Sequence, residues 1–176
     1  MSRPASRESL FHEWQAEHRG IIGKVTRSFA VTPTQFAELQ QELLLQLWNS
    51  TAGYVGEAKS STWVYRVCLN TALTWRRGSI RRERRIERDV DLAQLATGAP
   101  APSTRADQSD LLEKLYAAIH AMPDFERALV LLSLDGLAYR EIAEITGLTE
   151  NHVGVALSRA RRRLAQLMKG VIDELE

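Results

Sequence analysis

Large apolar residues return every three or four positions along most of the chain, the spacing of an amphipathic helix rather than the alternation of a strand. Residues 8–29 place Leu10, Phe11, Trp14, His18, Ile21, Ile22 and Val25 on one side and predict a helix. "VTPTQ" interrupts the pattern, with Thr32 a suitable N-cap and Pro33 a suitable first helical residue. The next helix carries Phe36, Leu39, Leu43 and Leu47, and its other side offers Glu38, Gln41, Glu42 and Gln46. "NSTAGYVGEAKSS" reads as a loop. A long helix follows from about Thr62 into the eighties, with Trp63, Val64, Val67 and Leu73 as its apolar side.

The periodicity stops at "LATGAPAPSTRADQSD", which holds Gly98, Pro100 and Pro102 and almost no large apolar residue. It reads as a flexible linker. Four further helices are expected over 109–121, 124–134, 138–146 and 149–169. No strand and no internal repeat is evident. The expectation is an all-α protein of two small helical domains, 1–90 and 110–176, joined by a linker over 91–109.

Composition narrows the setting. The single cysteine, Cys68, excludes an internal disulfide and suits a reducing compartment. No apolar run approaches the ~20 residues of a membrane span, and the N-terminus lacks the apolar core of a signal peptide. The chain is therefore expected to be soluble and cytoplasmic, without membrane insertion. A formal net charge of +1 does not announce a nucleic-acid binder, so only the distribution of charge can.

That distribution is uneven. In "EIAEITGLTENHV", Ala143, Gly147 and Val153 stand at relative positions one, five and eleven, the spacing of a helix-turn-helix. Ala143 is small where two helices would touch, Gly147 suits the left-handed turn, Val153 would plug into the core and Thr149 can cap the second helix. That helix turns Val153, Ala156, Leu157, Ala160 and Leu164 to one side. It turns Asn151, Val155, Ser158 and Arg162 to the other, with His152 and Arg159 flanking. From Ser158 to Lys169 there are five basic residues and no acidic one. Polar groups near the helix N-terminus and guanidinium groups beyond them match a major-groove reader, in which the first meet base edges and the second meet phosphates. The bland alternative is a helical hairpin with a solvated basic surface.

A second basic stretch ends the first module. From Arg76 to Arg88 there are seven Arg against two Glu. Either Glu83 and Glu87 pair with neighbouring Arg in a charged helix end, or the stretch contacts phosphates. Trp63, Tyr65 and Trp75 lie near it as packing or stacking groups.

Taken in order, these segments resemble an extracytoplasmic-function (ECF) sigma factor of the sigma-70 superfamily. "AELQQELLLQLW" is similar to the region 2 helix that docks on core RNA polymerase. "STWVYRVCLNTALTWRRGSIRR" is similar to the segment that opens and reads the −10 element. "LEKLYAAIHAMPDFERALVLLSLDGLAYREIAEITGLTENHVGVALSRARRRL" is similar to region 4, which reads the −35 element. The likeness covers about 10–90 and 110–168. It implies a bacterial transcription initiation factor without cofactors or catalytic activity. Its implied partners are the clamp helices and flap of core RNA polymerase, promoter DNA as duplex and as melted non-template strand, and an anti-sigma factor.

The resemblance also assigns residues. Glu38, Gln41, Glu42 and Gln46 would meet polymerase. Lys59, Ser60, Ser61, Asn70 and Thr74 would read unstacked bases, and Arg76, Arg77, Arg81 and Arg82 would hold phosphates. Thr149, Asn151, His152, Val155, Ser158, Arg159 and Arg162 would meet the −35 duplex. Three features depart from the family pattern. The docking helix has only Glu38 and Glu42 where an acidic cluster is usual. Ala138 stands where a Ser or Thr cap is common, and the recognition helix has Gly154, Val155 and Ala156 where basic residues are often found, Gly154 at a cost of about 1 kcal/mol relative to Ala. Close approach of the backbone to DNA or neutral tolerance would each account for Gly154.

Two rival functions remain. A conventional helix-turn-helix regulator would bind duplex alone and has no need of a second Arg-rich module. An enzyme finds little support: His12, His18, His120 and His152 are scattered, Cys68 sits mid-helix as a small buried thiol, and no phosphate loop, metal spacing or catalytic motif appears.

Overall fold

The computed structural model describes residues 6–89 and 106–173. Eight α-helices follow in order: α1 (Arg7–Glu17), α2 (Arg19–Phe29), α3 (Pro33–Ser50), α4 (Ser60–Asp89), α5 (Ala106–His120), α6 (Asp124–Leu134), α7 (Tyr139–Thr146) and α8 (Glu150–Asp173). Among the described residues there is no strand. The all-α expectation holds.

Local chemistry explains most boundaries. Ser6 Oγ accepts from Ser9 N at 3.1 Å and starts α1. Thr32 and Gln35 form a full capping box ahead of α3, Thr32 Oγ1 accepting from Gln35 N at 3.2 Å, with Pro33 as the first helical residue. α4 begins at Ser60, so Ser60 and Ser61 open a helix rather than belonging to a loop. α5 begins at Ala106, inside the stretch expected as linker. Residues 90–105, which hold the rest of that linker, lie outside the described residues.

The helix expected over 8–29 is two helices. The chain bends at His18, with φ −107° and ψ 19°. His18 is buried, and its Nε2 lies 3.0 Å from Ser60 Oγ at the head of α4. A tertiary bond therefore holds the bend, two residues before Gly20.

α1, α2, α3 and α4 enclose Trp14, Val25, Phe29, Leu39, Leu43, Leu47 and Val64, all buried. The buried face of α4 is Val64, Tyr65, Cys68, Leu69 and Ala72, rotated from the expected side, whose Trp63, Val67 and Leu73 are half-buried. The rotation follows from α4 having neighbours on two sides: α2 and α3 on one, α6 and α7 on the other. The hydrophobic cluster accordingly does not stop at the first four helices. It continues into Ala128, Leu129, Leu131, Leu132, Ile142, Ile145, Val153 and Leu157. A second, smaller cluster of Ile119, Met122, Val130 and Ala160 ties α5 and α6 to α8.

Arg127 joins the halves and was not anticipated. It is 2% exposed in the apolar run "ERALVLL". Its guanidinium donates to the carbonyls of Ile119 (3.1 Å), His120 (2.7 Å) and Met122 (3.0 Å), at and just beyond the end of α5. The Ile119 carbonyl also accepts from Met122 N. It pairs with Asp124 at 3.6 Å and lies over the Phe29 ring of α2 at 5.1 Å.

Candidate nucleic-acid interface

The second half forms the expected helix-turn-helix. α7 closes on Gly147 at φ 75°, the left-handed conformation, and its N–H donates to the Ala143 carbonyl at 2.9 Å. Val153 is fully buried between the helices. Thr149 Oγ1 accepts from His152 N at 3.3 Å and caps α8. The head of α7 has half a capping box. Glu141 Oε2 accepts from Ala138 N at 3.0 Å, but the Ala138 side chain has no acceptor to offer in return.

Asn151, Val155, Ser158 and Arg162 recur at intervals of four, three and four on α8, and all are exposed, Val155 at 57%. At 3.6 residues per turn they form one stripe about 16 Å long. Thr149, His152 and Arg159 are exposed beside it. The basic residues of α8 divide. Arg161 donates to Ser133 Oγ at 2.7 Å and Arg163 pairs with Glu126 at 2.8 Å, so both are turned to α6. Arg159 and Arg162 have no ion pair among the described residues. Gly154 has an internal explanation: a Cβ there would lie 3.5 Å from the Tyr139 ring, an ordinary contact, so the position looks toward Tyr139 and would accept Ala.

On α4 the candidate residues separate by direction. Asn70, Thr74, Arg77 and Arg81 are exposed and repeat at four, three and four, forming a stripe like that of α8. Arg66 falls on the same line, four residues before Asn70, and was not among the candidates; the spacing alone could have found it. Arg76 does not fall on it. It is half-buried and close enough to His120 and Arg127 to affect their titration. Arg82 turns the other way, into a cleft between α3 and α4. The Ser60 hydroxyl, expected to read bases, is engaged with His18. Lys59 meets Glu141 of α7 at 3.2 Å. The side chains of Glu83 and Glu87 lie outside the described residues.

The cleft between α3 and α4 is a shallow, open groove of about 520 Å³ lined by Glu38, Gln41, Glu42, Leu45, Trp75 and Arg82. Three of the four docking candidates line it. The fourth, Gln46, donates to Glu42 Oε1 at 2.9 Å and holds that carboxylate in place. Leu45 adds an apolar side chain, 51% exposed, at the centre of this acidic and amide surface.

Comparison with known proteins points the same way. The family described as Sigma-70, region 4, matches residues 112–164, the span of α5–α8 that carries the helix-turn-helix. The ECF RNA polymerase sigma-E factor of Haemophilus influenzae is 28% identical over 151 residues, 82% of this chain and 79% of its own. The RNA polymerase sigma factor YlaC of Bacillus subtilis is 26% identical over 170 residues, 96% of this chain and 95% of its own. The chain is similar to ECF sigma factors over most of its length and carries a Sigma-70 region 4 domain over residues 112–164. Its fold is also that of two solved sigma factors. The sigma factor RpoE of Bartonella quintana, in complex with the anti-sigma factor NepR, aligns with a TM-score of 0.69 at 20% identity, covering 90% of this chain and 96% of that one. CnrH, in complex with the cytosolic domain of CnrY, aligns at 0.63 and 17% identity, covering 91% and 88%.

Two further features of this chain bear on chemistry. Cys68 is fully buried, and burial pushes its thiol up to about 12, which leaves it protonated and unreactive at neutral pH. Among the described residues no group of three or more His, Cys, Asp or Glu could hold a metal ion, and no helix is long and apolar enough to cross a membrane.

Proposed function

We propose that the chain binds core RNA polymerase and directs promoter-specific initiation, with the α8 stripe on the −35 duplex and the α4 stripe on the melted −10 strand. The observation that carries this reading is the pair of exposed polar and basic stripes, one on a helix-turn-helix and one on a long helix beside an acidic cleft. On α8, Asn151 and Ser158 offer hydrogen bonds to base edges, Val155 offers an apolar contact suited to a thymine methyl, and Arg159 and Arg162 offer phosphate contacts. Thr149 and His152 add polar groups where the helix enters the groove. On α4, Asn70 and Thr74 present polar groups to unstacked bases, while Arg77 and Arg81 neutralise the strand behind them.

The cleft lined by Glu38, Gln41 and Glu42 supplies the polymerase contact. A partner helix that brings an apolar side chain to Leu45 and Trp75, flanked by basic residues, would fit it. The protein lends sequence specificity to the polymerase and performs no covalent step itself. An anti-sigma partner and a cytoplasmic location belong to the same reading, supported by the complexes in which the two aligned sigma factors were solved.

Co-elution with core RNA polymerase tests the docking part. The wild-type chain is expected to co-elute, and the double variant Gln41→Lys, Glu42→Lys to lose the association with its helix content intact. Core binding undiminished in the double variant would move the contact away from this cleft.

A further inference from the structure

One exposed aromatic of the helix-turn-helix belongs to neither stripe. Tyr139, the first residue of α7, is 42% exposed, and among the described residues its hydroxyl makes no hydrogen bond. Its ring leans on α8 at Gly154. A Cβ there would lie 3.5 Å from Tyr139 Cε2 and 3.9 Å from Cδ2, so the hydroxyl end of the ring is the end nearer α8. Gly154 follows Asn151 by three residues and precedes Ser158 by four. It therefore stands about 60° from the first and about 40° from the second around the helix axis, and between them along it. The ring occupies the α7 flank of the recognition stripe, level with the two residues that offer hydrogen bonds to bases. A side chain at 154 longer than a methyl group would take that seat.

We infer that Tyr139 is a further duplex contact: its hydroxyl donates to a backbone phosphate at the edge of the groove that α8 enters. The inference rests on the reading of α8 as the helix that enters the −35 groove. An α-helix with its side chains is about 10–12 Å across and the major groove about 12 Å wide, so α8 fills the groove. A group on its flank meets the wall, where the phosphates run, and not the base edges on the floor. The first helix of a helix-turn-helix crosses that backbone, and α7 brings Tyr139 there. The charge on α7 is wrong for a purely ionic contact: it holds Glu141 and Glu144 against one cation, Arg140. A phenol hydroxyl bonds a phosphate without needing positive charge. Such a contact carries no sequence information of its own. It fixes the register of α8, and with it the base edges that Asn151 and Ser158 reach.

Short duplexes selected from a random-sequence pool by the full chain, with and without core RNA polymerase, supply the probe. Tyr139→Phe keeps the ring on Gly154 and removes only the hydroxyl. It is expected to weaken binding of the selected duplex about five- to tenfold, with far-UV circular dichroism unchanged. The slope of log K against log salt should stay as in the wild type, because an uncharged donor displaces no counterion. Single methylphosphonate substitutions, each neutralising one phosphate, then locate the contact. At one position the penalty should be about five- to tenfold smaller in Tyr139→Phe than in the wild type, and elsewhere the two penalties should agree. Unchanged affinity in Tyr139→Phe overturns the inference. So does a loss that combines equally with every methylphosphonate, or one that comes with a slope smaller by about 1, which would assign the contact to Arg140. Selection that needs core RNA polymerase leaves the sigma reading standing even where Tyr139 fails. Selection by the free chain alone sinks that reading while the Tyr139 comparison is still read on the selected duplex, and no enrichment in either arm overturns both.

Discussion

Replacing Arg127 by Met tests whether one buried cation organises the second half. Met keeps the length and apolar stem of the side chain and removes its donors. Three carbonyls at and just beyond the end of α5 lose the guanidinium, at bonds now 2.7–3.1 Å long, and only Ile119 keeps a backbone donor, Met122 N. A hydrogen bond from a charged donor is worth about 1.5–3 kcal/mol, and a buried acceptor left without a donor costs about 1–3 kcal/mol. Against these stands the regained desolvation of the cation, several kcal/mol, so the losses do not add in full. The helix terminus and the Asp124 pair remain uncompensated, and a net loss of about 3 kcal/mol is expected. With a urea m-value of about 2 kcal/mol/M, the midpoint should fall by about 1.5 M, followed by far-UV circular dichroism. Arg127→Lys keeps the charge but cannot reach three carbonyls from one ammonium, and should fall between the two. Arg127→Met within 1 kcal/mol of wild type at unchanged m would refute the role assigned to these bonds.

Three other outcomes follow from the same geometry. Arg159→Ala and Arg162→Ala should each weaken −35 duplex binding by the holoenzyme and reduce the slope of log K against log salt by about 1; an unchanged slope would remove that residue from the phosphate contacts. Burial holds His120 below its usual 6.5, with Arg127 and Arg76 acting in the same direction and the Arg27 carbonyl opposing them. The unfolded chain therefore takes up a proton first, so stability is full above pH 6.5 and falls as pH drops below it; His120→Gln should flatten that fall, read as urea midpoints at pH 7.5 and 5.5. Gly154→Ala should raise stability by about 0.5–1 kcal/mol and leave duplex affinity unchanged, because the new methyl meets Tyr139; weakened DNA binding would show instead that the backbone there approaches the duplex.

The helix-turn-helix was legible residue by residue because its constraints are local. Gly147 must turn, Thr149 must cap, and Val153 must fill the gap between two helices only a turn apart. The α3 start was legible for the same reason, since Thr32, Pro33 and Gln35 carry their chemistry within four positions. The bend at His18 was not, because its cause is Ser60, 42 residues away. The face of α4 was misjudged because its periodicity is blurred by two packing partners, one supplied by the other half of the chain. Arg127 gave a signal, an Arg alone in an apolar run, but its partners are backbone carbonyls, which sequence does not display. Of the α4 candidates, Arg76 and Ser60 turned inward while Arg66 joined the stripe; composition gathers the arginines, and only helical phase sorts them.

The function proposed for this chain is to give promoter specificity to a polymerase. Run-off transcription on bacterial genomic fragments, with core RNA polymerase alone, with the wild-type chain, and with the Asn151→Ala, Arg162→Ala double variant, tests it most directly. Discrete start sites that need the chain, and that weaken in the double variant while core binding persists, are expected. No new start sites, together with specific duplex binding by the free protein, would contradict it and leave a conventional helix-turn-helix regulator.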